Sequence, residues 1–455
     1  MAEIKLKETT KRLGDAPLGK LLLSLSLPGI ASMTTLALYN IIDTFWVARL
    51  GYQAIAALTV VMPYHVLVIA IGEGTGIGVS ALASRRFGEG NIEATNHVAG
   101  QIFPLAVMLG SILLTIVVFF SHTILTICGA TPDIMDYATQ YLVIIGFGAP
   151  FLIFSTTASN LLRGSGDAIR PMAFMIIASV LNIILDPLMI FGIGPFPEMG
   201  VRGAALATTI SIACSAGLCF FYIVAHKSTY RIKLAQLRLN LPILRDIYRV
   251  GFPAMIMETT ESITFALFIY VISAFGSLAI AAAGLAIRIC DLAFMPMFGV
   301  AEGLLPIVGF NFGAKLWDRV WRAIKLASIG LALTMGVATV ILVIFTPQAV
   351  GVFSDDPELM TLAVPAMRIT LSSLVIVGPT ILFGTAFQGL SMGKEALAIA
   401  LIRQFLFFVP LLLLLPRIWG LNGVWLAWPS SDALSFIVAG LWLFRVYKLQ
   451  QQKSL

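Results

Sequence analysis

Asp43, Glu73 and Asp186 stand inside long apolar stretches in the first half of this 455-residue chain. A carboxylate near the centre of a bilayer-spanning helix costs roughly 2.5–3.5 kcal/mol to insert, so such residues usually face an interior cavity and act there. Tyr39 lies four residues before Asp43, and Asn182 four before Asp186, so each pair lines one face of a helix. Thr208 adds a hydroxyl at a comparable depth on the following span. Two carboxylates, an amide, a phenol and a hydroxyl make a compact set of hard oxygen ligands. That set suits a small monovalent cation such as Na⁺, held by Asp43, Asn182, Asp186 and Thr208, or a shared proton. Carboxylates brought together cannot both ionise cheaply, which lets such a pocket load and release protons. Each acid alone also has a plainer reading. Asp43 is close to the interface marked by Arg49, and Asp186 precedes Pro187, where a polar group can satisfy backbone freed at a kink.

The second half carries a different polar set. Glu258 and Glu261 fall on the seventh predicted span, and Arg288 with Asp291 on the eighth. The i, i+3 spacing of Arg288 and Asp291 allows an ion pair that neutralises itself. Glu261 has no local partner and is expected to contact substrate or cation. Glu73 and Glu302 lie in glycine-rich stretches near span ends, where a basic loop residue is the expected partner. No serine–histidine–acid arrangement, HExxH or paired-cysteine motif is present, so neither enzyme chemistry nor a cofactor is expected. The cysteines Cys128, Cys214, Cys219 and Cys290 read as small hydrophobic fillers. The glycine run at Gly72, Gly74, Gly76 and Gly78 lies inside a span without GKS or GKT and reads as close helix packing.

These side chains must be positioned by helices in lipid. The chain is 59% hydrophobic and only 11% charged, with mean hydropathy +0.96, and a soluble chain would carry about a quarter charged residues. Runs such as 103–120, 172–193 and 326–345 reach or approach the ~20 apolar residues of a membrane-spanning helix. They lack strand-like alternation, which argues against a β-barrel. Twelve spans are predicted, and the first run is too long and lacks the cleavage pattern of a signal peptide. Basic residues gather in alternate connections, among them Arg85, Arg86, Arg163, Arg170, Lys315, Arg319 and Lys394, whereas the opposite loops hold only Arg49, Arg202 and Arg417. Both termini are therefore expected in the cytoplasm, and the basic pI near 9.2 reflects topology and not nucleic-acid binding. Arg288 and Arg368 read as the basic residues set deep in spans.

A displacement of 225 residues overlays the chain on itself: Pro28 on Pro253, Gly51 on Gly276, Phe87-Gly88 on Phe312-Gly313 and Gly164 on Gly389. The expected organisation is a cytoplasmic segment 1–20, a first lobe 21–225, a basic linker 226–249, a second lobe 250–444 and a cytoplasmic tail 445–455. The linker reads as a tether or an amphipathic segment lying on the leaflet. Repeated bundles of this kind tend to hold a ligand between or within the halves and to rock around it. At the same displacement Asp43 meets Phe268, and Asp186 meets the apolar run at Pro410–Leu413, so the scaffold is duplicated and the acidic pair is not.

Several local patterns, Tyr39-Asn-Ile-Ile-Asp43, Arg163-Gly-Ser-Gly-Asp167, Leu181-Asn-Ile-Ile-Leu-Asp-Pro187, Gly200-Val-Arg-Gly-Ala-Ala-Leu-Ala-Thr208 and Gly309-Phe-Asn-Phe-Gly313, resemble those of the multidrug and toxic compound extrusion (MATE) family. The resemblance covers essentially the whole chain and is strongest to the DinF-like and archaeal branch. It implies an all-α membrane protein of two six-helix lobes in an inverted V, exporting small amphiphilic or cationic substrates against H⁺ or Na⁺ entry. It also implies Tyr39, Asp43, Asn182, Asp186 and Thr208 as the coupling site. Glu261 matches the seventh-span glutamate of a second-lobe Na⁺ site in the NorM-like branch. The run 362–389 carries no acid to complete that site. The resulting expectation is a monomeric exporter of the cytoplasmic membrane, partnered by lipid and small substrates. The alternative is a flippase for lipids or lipid-linked precursors, for which a cationic cavity would be the mark. A non-transporting membrane scaffold is a further alternative.

Overall fold

The computed structural model describes residues 12–225, 227–351 and 356–454, with the side chains of Tyr52, Ser277, Arg288, Lys453 and Ser454 left out. The first lobe is α1 (Leu18–Ala48), α2 (Tyr52–Gly88), α3 (Ile92–Ile127), α4 (Met135–Gly164), α5 (Ile169–Phe191) and α6 (Val201–Val224). The second is α7 (Leu241–Ser273), α8 (Ser277–Gly313), α9 (Trp317–Ile344), the short α10 (Thr346–Gly351), α11 (Pro357–Leu371), α12 (Leu374–Gly389), α13 (Gly393–Leu401), α14 (Val409–Trp419) and α15 (Leu421–Ser454). Ten of these helices, and the continuous run Gly393–Trp419 through α13 and α14, are long and apolar enough to cross a membrane, and α11 with α12 makes a twelfth span if taken as one.

Two predicted spans are not simple rods. The tenth is α11 and α12 meeting at 47°. At the break the hydroxyls of Ser372 and Ser373 donate to the carbonyls of Ile369 and Thr370, satisfying groups the interrupted ladder releases. The eleventh passes through a π-helical turn, Ile402–Phe408, just before Pro410. Proline has no N–H and its ring crowds the carbonyl one turn back, so widening the turn relieves the clash.

The linker also departs from a free surface segment. α7 already begins at Leu241, capped by the Asn240 side chain, which accepts from the Ile243 N–H at 3.3 Å. The residues before it are fastened to the first lobe. Gln101 Nε2 donates to the carbonyls of Gln236 (3.0 Å) and Arg238 (2.9 Å), and its Oε1 accepts from the Asn240 N–H (2.8 Å). Tyr230 is fully buried and donates its hydroxyl to the Leu161 carbonyl at 2.7 Å. Burial pushes that phenol above its ordinary range. His226 lies outside the described residues.

The lobes meet through α1 on α8 and α2 on α7, each lobe's first helix against the other's second, with α2 also touching α8. Glycines make this possible. A Cβ on Gly88 would overlap the Phe310 carbonyl, and one on Gly313 would overlap the Arg85 carbonyl. The same reciprocity relates Gly74 against Met255 to Gly299 against Ile30, and Gly78 against Gly251 to Gly303 against Ser26. The first of these pairings, Gly88–Phe310 and Gly313–Arg85, maps onto itself under the 225-residue displacement, so the seam is a pseudo-twofold surface joined to its own copy. Lys20, Arg85, Arg86, Arg249 and Lys315 flank it, placing the seam at the basic end of the bundle. Gly88→Ala and Gly313→Ala are each expected to destabilise the protein by about 1–3 kcal/mol through overpacking. Gly217→Ala and Gly284→Ala, where an added Cβ meets nothing within 4 Å, should leave the midpoint of thermal unfolding in detergent unchanged or slightly raised.

Candidate functional site

α1, α5 and α6 carry the residues singled out in the first lobe, and α5 packs on both of the others. The hairpin between α5 and α6 sets their register. Gly192 closes α5 in the left-handed region (φ 67°), and the N–H groups of Met199 and Gly200 bond the carbonyls of Met189 and Ile190 at 3.1 Å each. Gly203 then rests directly on the Met189 carbonyl, which brings α6 against α5 without an intervening side chain.

That approach brings Thr208 to Asn182. Asn182 Nδ2 donates to Asp186 Oδ1 at 3.2 Å and to Thr208 Oγ1 at 3.4 Å, and all three residues are buried, Asp186 completely. Asp43 lies beside Asp186, and Tyr39 beside Thr208 and Asp43, close enough for these groups to interact. All five residues therefore belong to one connected group. Asp43 Oδ1, Asn182 Oδ1 and Asp186 Oδ2 are buried yet have no hydrogen-bond partner in the protein. Oxygens of this kind in an apolar interior need a donor or a cation, and the donor set fits a proton or a small alkali ion. Among the described residues no three of His, Cys, Asp and Glu are placed to hold a metal ion, so the group is two carboxylates supplemented by neutral oxygens.

Tyr141 on α4 was not anticipated. It lies close enough to Asp43, Tyr39 and Asp186 to feel their charge and packs in the apolar cluster of Val47, Ala54, Ile190 and Ala204 above them. Nothing in its own segment marks it, because the partners come from three other helices. Trp46 and Phe191 meet edge to face at 6.1 Å across α1 and α5, and the Arg49 guanidinium lies 5.0 Å over Trp46.

The second lobe holds a different arrangement at its equivalent place. Phe268, where the first lobe has Asp43, is buried against Trp425 and Trp428, and Phe408 packs on Trp428 with 3.9 Å between ring centroids. Glu258 and Glu261 are exposed, as is Asp291, while the Arg288 side chain lies outside the described set. Glu261 is not without a charged neighbour: it lies within electrostatic range of Arg403. Arg403, on the π-helical turn, donates from Nε to Asp432 Oδ1 at 3.0 Å, and Ser431 donates to its carbonyl at 2.9 Å. Among the described side chains of this lobe, Arg403 is thus a deep basic residue that the sequence reading did not single out. Arg368 is exposed, with Nε donating to the Val343 carbonyl at 3.3 Å. A lone arginine and a lone aspartate in neighbouring apolar spans were the available signal for this pair.

Gly203→Ala should force α6 away from α5, separate Thr208 from Asn182 and cost about 1–3 kcal/mol in thermal unfolding. Thr208→Ser keeps the hydroxyl and should be close to neutral, whereas Thr208→Val removes it and should cost about 0.5–1.5 kcal/mol in the same measurement.

A family model described as MatE matches residues 28–188 and again 253–414, with the two starts separated by the repeat distance found in the sequence. A chain described as the outward-facing conformation of a multidrug resistance MATE family transporter of the MOP superfamily superposes with TM-score 0.92 at 26% identity, covering 97% of this chain and 98% of that one. A MOP superfamily transporter from Pyrococcus furiosus gives 0.90 at 26% identity, covering 96% and 98%. Relatives include the FAD transporter of Shewanella oneidensis, 28% identical over 92% of this chain and 93% of that protein. Another is the multidrug export protein MepA of Staphylococcus haemolyticus, 26% identical over 96% and 95%. With both halves of the chain matched and the fold shared end to end, the protein belongs to the MATE family and is a transporter, not an enzyme.

Proposed function

We propose that this transporter is an exporter of organic cations and amphiphiles, driven by entry of H⁺ or Na⁺ through the first lobe. The observation that carries the reading is the group of buried, partnerless oxygens on Asp43, Asn182 and Asp186. Two facing carboxylates there repel one another until a proton or cation arrives, so occupancy changes the charge of an apolar pocket by one or two units. Such a change alters how α1, α5 and α6 pack. Substrate and coupling ion then favour different states of the lobe, and binding of one disfavours the other. Tyr39 and Thr208 complete the oxygen set, and Tyr141 lies beside it.

Glu258 and Glu261, exposed on α7, favour cationic substrates and oppose the cationic cavity that a flippase for pyrophosphate-linked lipids would need. The likeness to an outward-facing relative, together with the seam at the basic end, supports a state open away from the cytoplasm. In this reading the chain acts as a monomer in the cytoplasmic membrane with both termini inside, the arrangement favoured by the basic loops.

The test is efflux of a cationic dye from proteoliposomes under separate pH and Na⁺ gradients, with a flavin dinucleotide as the anionic comparison. Asp43→Asn/Asp186→Asn should lower gradient-driven dye efflux by about 5–150-fold, the range of an ordinary coupling free energy, with folding preserved by circular dichroism. Efflux retained by the double variant rejects ion coupling at this site. Preferential transport of the flavin nucleotide rejects the substrate class.

A further inference from the structure

At the seam between the lobes, one buried arginine meets a carboxylate of the other lobe, with a second carboxylate held one turn away. Arg163, at the end of α4, was read from sequence as a loop residue but is part of the helix and is buried. Its Nη1 lies 3.0 Å from Oε1 and 3.1 Å from Oε2 of Glu302 on α8, in the opposite lobe, with side-chain exposures of 10% and 14%. Its Nε is buried and has no partner. One turn earlier on the same helix, Asn160 donates Nδ2 to Glu73 Oε2 at 3.0 Å. Glu73, on α2 of the same lobe as Arg163, is near enough to feel the charge of both Glu302 and Glu258.

The distribution of partners is uneven. The guanidinium is given to the carboxylate across the seam, while the carboxylate of its own lobe has an amide. We propose that Arg163 is a two-position switch for lobe movement: it holds Glu302 when the basic end is shut and passes to Glu73 when the lobes part there. Separation without a second partner would strand a buried guanidinium, which is far more unfavourable than losing the contact itself. Glu73 removes that obstacle, because it travels with Arg163 and need only exchange an amide for a guanidinium. The free Nε–H is the donor available for the exchange. Arg86 and Asp246 also pair across the seam, but at 3.4 Å and with far greater exposure, so their separation is assisted by water.

This inference rests on the reading that the lobes alternate during export. Its test is a pulsed EPR distance between spin labels at Thr131 and Ala274, loop positions of the two lobes at the end opposite the seam, in proteoliposomes. The background has the four native cysteines replaced by alanine. Glu302→Gln should shift the population toward the form closed at the labelled end by about tenfold, and Glu73→Gln should shift it the other way by a similar factor. Adding Glu302→Gln to Arg163→Gln should give no further shift. A merely structural role for these residues does not produce opposite signs. Shifts of the same sign, or no effect of Glu73→Gln, overturn the switch, and gradient-driven dye efflux by the unsubstituted protein then leaves the export reading standing. A single distance in every variant and gradient, with no dye efflux, removes both. Glu302→Asp replaces Glu302→Gln if the latter is not recovered folded, and should shift the population in the same direction.

Discussion

Backbone-to-backbone contact across the seam is the constraint on which the rest of the molecule depends. Lipid offers no hydrophobic drive for two apolar helices to associate, so attraction must come from close van der Waals approach. Gly74, Gly78 and Gly88 on α2, and Gly299, Gly303 and Gly313 on α8, supply it by leaving room for the other lobe's main chain. Contacts of this kind are short-ranged and carry few charges. A seam built from them can separate without stranding many polar groups, which suits the alternation of lobes proposed for export.

On this symmetric frame the polar content is asymmetric. The first lobe keeps Asp43 and Asp186 together with a ring of neutral oxygens, whereas the second fills the place of Asp43 with Phe268 between Trp425 and Trp428. An aromatic stack at that position is rigid and has no charge state to change. In the proposed mechanism the second lobe is the counterpart against which the first responds to an ion. Its own buried charge, Arg403 with Asp432, is already internally matched and hydrogen-bonded, which is the usual condition for keeping charge in a low-dielectric interior.

Much of the fold and the first-lobe group was legible in the chain because both rest on local rules. Apolar runs of bilayer length specify helices, alternating basic loops order them, and four-residue spacing puts Tyr39 beside Asp43 and Asn182 beside Asp186 on a helix face. The bend between α11 and α12 and the π turn before Pro410 were less legible, because hydropathy does not register how a helix interior accommodates serine pairs and proline.

The sequence by itself determined the number and order of spans, the duplication and the identities of the first-lobe acids, since each is read along the chain without knowing how the helices pack. Only the tertiary structure decided which charges meet. Arg163 finds Glu302 across 139 residues and two lobes. Tyr141 joins Asp43 and Asp186 from a fourth helix, and Arg403 finds Asp432 through a widened turn. The physical reason is that helix periodicity specifies direction within one rod. The rotation of rods about one another is set by packing, and a one-turn shift between neighbours would pair a different set of side chains.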